Sequence, residues 1–247
     1  MRRVTDIASV FRIQLMSMRA EAGPFLLAAL VFPAAMYLFA NAVGGTQAAQ
    51  DDQSRLRFLA GSIVFSLSLT SISWLGYLLL ENRFTGRLKL FATLPLAPSS
   101  YIFGILVFAL AQAALGTITL IIMGRALGVR MLPSLLPLAL VVMLSVLCLC
   151  GFGVIIAARA RSFTEGSLLT DALGAGLVFI APVYYTADNM PYGLRVIAAW
   201  LPTTFAARAV VTTLEGGYRI GTDLLALGLM AVVTLALGFR LTKWRED

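Results

Sequence analysis

The stretch SLLPLALVVMLSVLCLCGFGVIIA at positions 134–157 carries no charged side chain. A helix needs about 20 apolar residues to cross the hydrocarbon core of a bilayer, and this stretch is long enough by itself. Further runs of the same kind lie at 24–42, 58–80, 101–123, 168–187 and 222–240, making six. With 60% hydrophobic and 13% charged residues and a mean hydropathy of +0.89, the 247-residue chain has too little polar surface for a soluble domain. The six runs predict an all-α integral membrane fold, one domain over 1–247, with no room in the loops for a separate soluble catalytic domain.

Orientation follows from where lysine and arginine fall. With the N-terminus inside, twelve of the nineteen cations lie on the cytoplasmic side: Arg2, Arg3, Arg12, Arg19, Arg83, Arg87, Lys89, Arg159, Arg161, Arg240, Lys243 and Arg245. Seven lie outside: Arg55, Arg57, Arg125, Arg130, Arg195, Arg208 and Arg219. The bias predicts a multi-pass protein of the cell inner or plasma membrane with both termini cytoplasmic. The net charge of +7 then reads as attraction to anionic lipid rather than to nucleic acid. Cys148 and Cys150, two apart within one apolar run, read as small packing residues rather than a disulfide or metal pair.

The N-terminal segment has charges spread through it and no small-residue cleavage site, so it is expected to be retained. Its Val4, Ile7, Ala8, Phe11, Leu15 and Met18 recur at helical spacing, with Arg12, Gln14 and Arg19 between them. That pattern predicts an amphipathic helix lying on the cytoplasmic interface. The linker at 41–55, with Gly, Gln and Asp but no apolar period, is expected to be a solvated outer loop. The stretch 188–221 is apolar enough for a seventh span, but Arg195 and Arg208 would then be buried in lipid beside Pro202, at about 2.5–3.5 kcal/mol for each arginine. Two short outer half-helices broken at Leu201-Pro202 fit better, starting near Pro191, with Thr203 as N-cap of the second and Gly216-Gly217 as its stop.

There is no histidine, no phosphate-cradling loop and no paired carboxylates in any span. Asp171 and Glu165 sit at one end of the fifth span and Asp223 at the start of the sixth. Nothing in the membrane can move a proton for catalysis or drive a proton-coupled carrier, so any uphill work must be powered by a partner. No metal or organic cofactor is expected in this chain. Ser62, Ser66 and Ser73 on one helical face, with Gln112 midway along the third run, are candidates for lining a translocation path. Close helix packing is the plainer reading of the same serines, and of Gly151, Gly153, Gly174 and Gly176.

Between the second and third runs lies ENRFTGRLKLFATLP, an island from Glu81 to Pro95. Thr85 can cap a short helix that Pro95 ends. Phe84, Leu88 and Phe91 form an apolar stripe beside a basic one of Arg83 and Arg87. Such an element either lies flat on the membrane or presses its stripe into a groove on a soluble partner.

Glu81, Gly86, Leu88, Leu90 and Thr93-Leu94-Pro95 just before a span resemble the cytoplasmic loop of the ABC-type-2 exporter permease family. Ala181-Pro182, Met190-Pro191, Leu194, Leu201-Pro202-Thr203 and Arg208 are similar to that family's outer segment between its fifth and sixth spans. With the six runs and the amphipathic lead-in, the resemblance covers essentially the whole chain. The chain departs from the family pattern at Arg83 and Lys89, where further acids are common. The resemblance implies a permease subunit of an ATP-binding-cassette exporter, two copies pairing as a homo- or heterodimer with two cytoplasmic ATPase subunits that hold ATP and Mg. It implies that 81–95 is a coupling helix contacting those ATPases. The alternatives are a non-transporting integral scaffold or immunity protein, or a secondary carrier.

Overall fold

The computed structural model describes residues 2–20, 23, 30–43, 52–87, 98–185 and 190–242, and among these the regular elements are all helical. In chain order they are α1 (Arg2–Ala20), α2 (Phe32–Val43), α3 (Asp52–Phe84), α4 (Pro98–Ala126), α5 (Leu135–Arg159), α6 (Phe163–Ile180), α7 (Tyr192–Ala198), α8 (Pro202–Leu214) and α9 (Gly221–Leu241). Of these, α3, α4, α5, α6 and α9 are each long and apolar enough to cross a membrane. The run expected at 24–42 is seen as α2 from Phe32 onward, and residues 24–29 fall outside the described residues.

Three boundaries differ from expectation for local reasons. Helix α3 starts at Asp52, inside the expected outer loop, where the carboxylate favours the positive end of the helix and reaches Arg130 at 3.7 Å. It continues past the expected end at 80 to Phe84, giving 33 residues. At 1.5 Å per residue that is about 50 Å, longer than a hydrocarbon core. Helix α6 stops at Ile180 rather than 187, because Ala181 precedes Pro182 and takes an extended ψ of 146°.

Neighbouring spans alternate in direction. Near its end α3 meets the start of α4, where Asn82 donates to the Tyr101 hydroxyl at 2.8 Å. At its own end α4 returns to the start of α3, with Gly124 against Leu59. Helix α5 ends beside Arg83, α6 starts with Phe163 edge-on to Tyr77, and α9 ends with Phe239 on Phe103. The bundle therefore has a Phe84 end and an Asp52 end.

Small residues let the spans approach. A Cβ on Gly153 of α5 would lie 3.1 Å from the Ile72 and Ser71 carbonyl oxygens of α3, within the π-helical stretch Leu69–Trp74. Gly151 faces Thr234 of α9, whose hydroxyl donates to the Cys148 carbonyl at 3.0 Å, and Gly174 faces Ser73. These three glycines are helix contacts, as their sequence setting suggests; Gly176 is not, since a Cβ there would meet nothing within 4 Å. Cys148 and Cys150 are buried and free.

The N-terminal helix is amphipathic as expected but does more than rest on lipid. Val10 is buried against Gly104 of α4, Phe11 meets the Phe108 ring at 6.0 Å, and Gln14 is buried with them. Ala8 is exposed instead of facing inward, and the buried face turns about Val10 and Gln14. Since Gly104 and Phe108 begin α4, α1 lies at the Phe84 end together with the end of α9.

Candidate functional site

Besides the candidate path residues, sequence reasoning singles out two regions, and they occupy opposite ends of α3. At the Phe84 end, Thr85 does not open a new helix. Its N–H and hydroxyl both donate back to the Glu81 carbonyl, at 2.9 and 2.6 Å, and it closes α3 as the C-cap. Gly86 follows with φ of 77°, the left-handed geometry that terminates helices and that a side chain resists. Thus Thr85 serves the preceding helix, because a threonine hydroxyl can bond the carbonyl four residues back as readily as the amides ahead.

Arg83 is the centre of this end. One of its terminal nitrogens, Nη1, reaches the carbonyls of Ala157 and Ala160 at 3.0 Å and that of Ala158 at 3.4 Å. Carbonyls of the last turn lack partners within their own helix, and they carry the negative end of its dipole, so a guanidinium suits them on both counts. Beneath it Leu80 is buried with Ala157 and Ala160. Glu81 pairs with Arg87 across the turn at 3.3 Å, and Phe84 is exposed with the Arg83 guanidinium over its ring. The next helix is closed on itself: Ser162 caps Glu165, whose carboxylate accepts from the Arg161 N–H at 3.0 Å. Glu81, Arg83, Phe84, Gly86 and Arg87 therefore form one turn tied to the ends of α4 and α5. Leu88, Lys89, Phe91 and Pro95 lie outside the described residues.

At the Asp52 end, the stretch after α6 forms the pair of short helices expected. Pro191 precedes α7 and accepts from the Arg195 N–H. Helices α7 and α8 are bent by 78° at Leu201-Pro202, where Leu201 is extended and Pro202 is the first helical residue. Thr203 is not the N-cap; Leu201 holds that position, and Thr203 donates instead to the Leu177 carbonyl of α6 at 2.6 Å. Thr204 closes the elbow by donating to Ala198 at 2.5 Å. The pair leaves by the end it entered, since Leu214 and Thr213 accept from Leu132 and Ser134 before α5. Gly216, with φ of 83°, stops α8 where Gly216-Gly217 was expected to.

Arg208 projects from α8 and pairs with Asp223 of α9, which is nearly buried. Between α3, α7, α8 and α9 lies a cavity of about 580 Å³, lined on its polar side by Arg57, Arg195, Arg208 and Asp223. Ser62, Ser66, Ser73 and Gln112 do not line it. Ser62 donates to its own helix, Ser73 to Thr170 of α6, and Ser66 is buried. Gln112 is also buried, with no partner for its Oε1 among the described residues.

Residues 6–214 match the model of the family described as ABC-2 type transporter. The chain belongs to that family. No curated protein sequence matches it. The match runs from α1 to the last residue of α8, so the ABC-2 membrane domain contains both the Arg83 turn and the α7–α8 elbow. In this transporter chain, three structural features were not predicted from sequence: the Arg83 bridge to α5, the Asn82–Tyr101 bond, and the placement of Arg57 in the lining of the half-helix cavity. Only the Arg208–Asp223 pair had a signal, as opposite charges bordering apolar segments.

Proposed function

We propose that this ABC-2 family membrane protein is the permease subunit of an ATP-binding-cassette exporter, working as two copies with two ATPase subunits that dock at 81–95. ATP and Mg are held by the ATPases. In this reading both termini and the Phe84 end are cytoplasmic and the α7–α8 elbow is external. The observation that carries the proposal is the Arg83 bridge. A docking segment must pass force into the spans, and the turn at its start is held to α5 through three carbonyls and to α4 through Asn82.

ATP-driven approach of the ATPases would push on the 81–95 segment. The turn can pass that push into the bundle, because Arg83 holds the end of α5 and Asn82 holds the start of α4. The ends of α3, α4 and α5 would then move together, shifting the two permease copies relative to each other. Co-expression with the cognate ATPase tests this directly. The expected result is a complex of two permeases and two ATPases whose ATP turnover supports export from proteoliposomes. A permease that captures no ATPase, or a complex that turns over ATP with no substrate movement, would overturn the proposal.

A further inference from the structure

A carboxylate stands halfway along α6. The span expected over 168–187 has Asp171 near one end, whereas α6 runs from Phe163 to Ile180 and makes it the ninth of eighteen residues, about 12 Å along the axis from the first. Two contacts fix the same depth. The adjacent Thr170 carbonyl accepts from Ser73, which lies about 15 Å along α3 from Arg83. Leu177, about 9 Å beyond Asp171, accepts from Thr203 at the elbow. Asp171 does not turn into the bundle: it is exposed, with no ion-pair or hydrogen-bond partner among the described residues.

That position narrows what the face can meet. Lipid suits it poorly, because a carboxylate in hydrocarbon is costly and the aspartate side chain is far too short to reach the interface. The exposed large side chains of α9, by contrast, are Leu225, Leu229, Val232, Val233 and Leu237, all apolar as a lipid-facing surface requires. A dry contact with a second copy suits Asp171 no better. In α3, α4, α5, α6 and α9 every lysine and arginine lies within two turns of an end, so a partner copy brings no cation from these spans to mid-membrane depth. Water is the neighbour that remains, and charged side chains within membrane spans characteristically face water-filled cavities that carry ions or substrates. There is room for it, since the residues after Asp171 include Ala172, Ala175 and Gly176, and a Cβ on Gly176 would meet nothing within 4 Å.

We infer that the α6 face around Asp171 lines a water-filled stretch of the export path and binds a positively charged group of the cargo, an ammonium or a guanidinium. The assignment of that cation as cargo rests on the permease reading above. The cation-binding face itself rests on α6, and its test needs no ATPase.

Ala175 follows Asp171 by one helical turn, about 6 Å along α6. The full chain lacking Cys148 and Cys150, in phosphatidylcholine nanodiscs, would carry Ala175→Cys or, on the exposed face of α9, Val232→Cys. A cationic reagent, trimethylammonioethyl methanethiosulfonate, should modify Ala175→Cys at least about tenfold faster, because a thiol must ionise to react and lipid disfavours the thiolate. The preference of Ala175→Cys for this reagent over the anionic sulfonatoethyl one should fall at least about tenfold in Asp171→Asn, since the carboxylate attracts one and repels the other. Asparagine keeps the shape of the exposed side chain, and Asp171→Glu should retain the preference. Tetraphenylphosphonium should protect Ala175→Cys while Asp171 is present and lose that effect in Asp171→Asn; tetraphenylborate, alike in shape and opposite in charge, should not protect. Modification no faster than at Val232→Cys would place the face in lipid or in a dry contact and overturn the inference. An unchanged reagent preference in Asp171→Asn, or protection by both ions or by neither, would overturn it equally. Failure of an ATPase to dock would leave these outcomes intact and remove the permease reading alone.

Discussion

Replacing Arg83 with methionine removes the bridge while keeping much of the side chain's apolar stem. Nη1 carries two hydrogens, so the three carbonyl contacts amount to two hydrogen bonds shared among Ala157, Ala158 and Ala160. A hydrogen bond to a charged group is worth about 1.5–3 kcal/mol, and Arg83 is half-buried, so the low end applies to each. The loss is then about 2–4 kcal/mol of local stability at the end of α5. Amide hydrogen exchange reads this without any knowledge of the exported substrate. The Ala160 N–H, bonded to Ile156 at 2.9 Å, should exchange at least tenfold faster in Arg83→Met, while amides in the middle of α5 keep their protection. Arg83→Lys should fall between, because the ammonium keeps the charge and the donors but sits on a side chain shorter than the one that carries Nη1 to these carbonyls. In the assembled complex, Arg83→Met should retain the ATPase yet export poorly per ATP hydrolysed. Unchanged exchange at Ala160 would refute the bridge, and unchanged export would refute its role in coupling.

Gly153→Ala forces a methyl to within 3.1 Å of two carbonyl oxygens and should cost about 1–3 kcal/mol in a denaturant titration, whereas Gly176→Ala, with open space around it, should be neutral or gain up to about 1 kcal/mol. Gly86 has no neighbour within 4 Å, so only its backbone matters: Gly86→Val should lower thermal stability by about 1–2 kcal/mol and Gly86→Asn by much less. Cysteines at Asp52 and Thr85, in a chain lacking Cys148 and Cys150, should label from opposite faces of intact cells, Thr85→Cys from the cytoplasm; labelling from one face would contradict the bundle's alternation. If the stripe beyond Gly86 is buried in an ATPase groove, Phe91→Ala should weaken docking by about 3–5 kcal/mol and Leu88→Asp should abolish co-purification, while normal co-purification of both would sink the docking role.

Much of the fold was legible because lipid imposes it. An uncharged run such as 134–157 has few options in a bilayer, and α5 forms over nearly that stretch. The elbow at Leu201-Pro202 was legible for a similar reason, since two arginines and a proline oppose a straight span. The misread positions were decided by choices between local hydrogen bonds. Thr85 and Thr203 each have the side chain of a good N-cap, yet one bonds backward to Glu81 and the other across to α6. No spacing rule distinguishes these outcomes. On α1 the expected stripe was legible in part: Phe11 and Leu15 pack against Phe108 of α4, while Val10 joins that face because Gly104 of α4 lets it approach. The sites were the least legible part: Arg83 meets carbonyls 74 to 77 positions away, and only the folded bundle brings Arg57 to Arg195.

One helix joins the two regions. Arg57 near the start of α3 borders the cavity beside the α7–α8 elbow and Arg83 near its finish grips α5, about 39 Å apart at 1.5 Å per residue. A rigid rod of that length would carry displacement from one end to the other, but α3 is not uniform. Its π-helical stretch, Leu69–Trp74, lies where Gly153 of α5 approaches the backbone most closely, with Ser73 donating to α6 nearby. Such a stretch is a looser hydrogen-bonding register within a helix and a natural place for it to pivot. On the proposed coupling, movement of the Phe84 end would reach the elbow as a tilt of the Asp52 half of α3 against α5 and α6. Filling Gly153 should stiffen that pivot as well as strain it. Gly153→Ala should consequently slow export more than its stability cost alone explains, measured against a second variant of equal stability placed on the α1–α4 contact, such as Val10→Ala. Equal export by the two variants would place the pivot elsewhere.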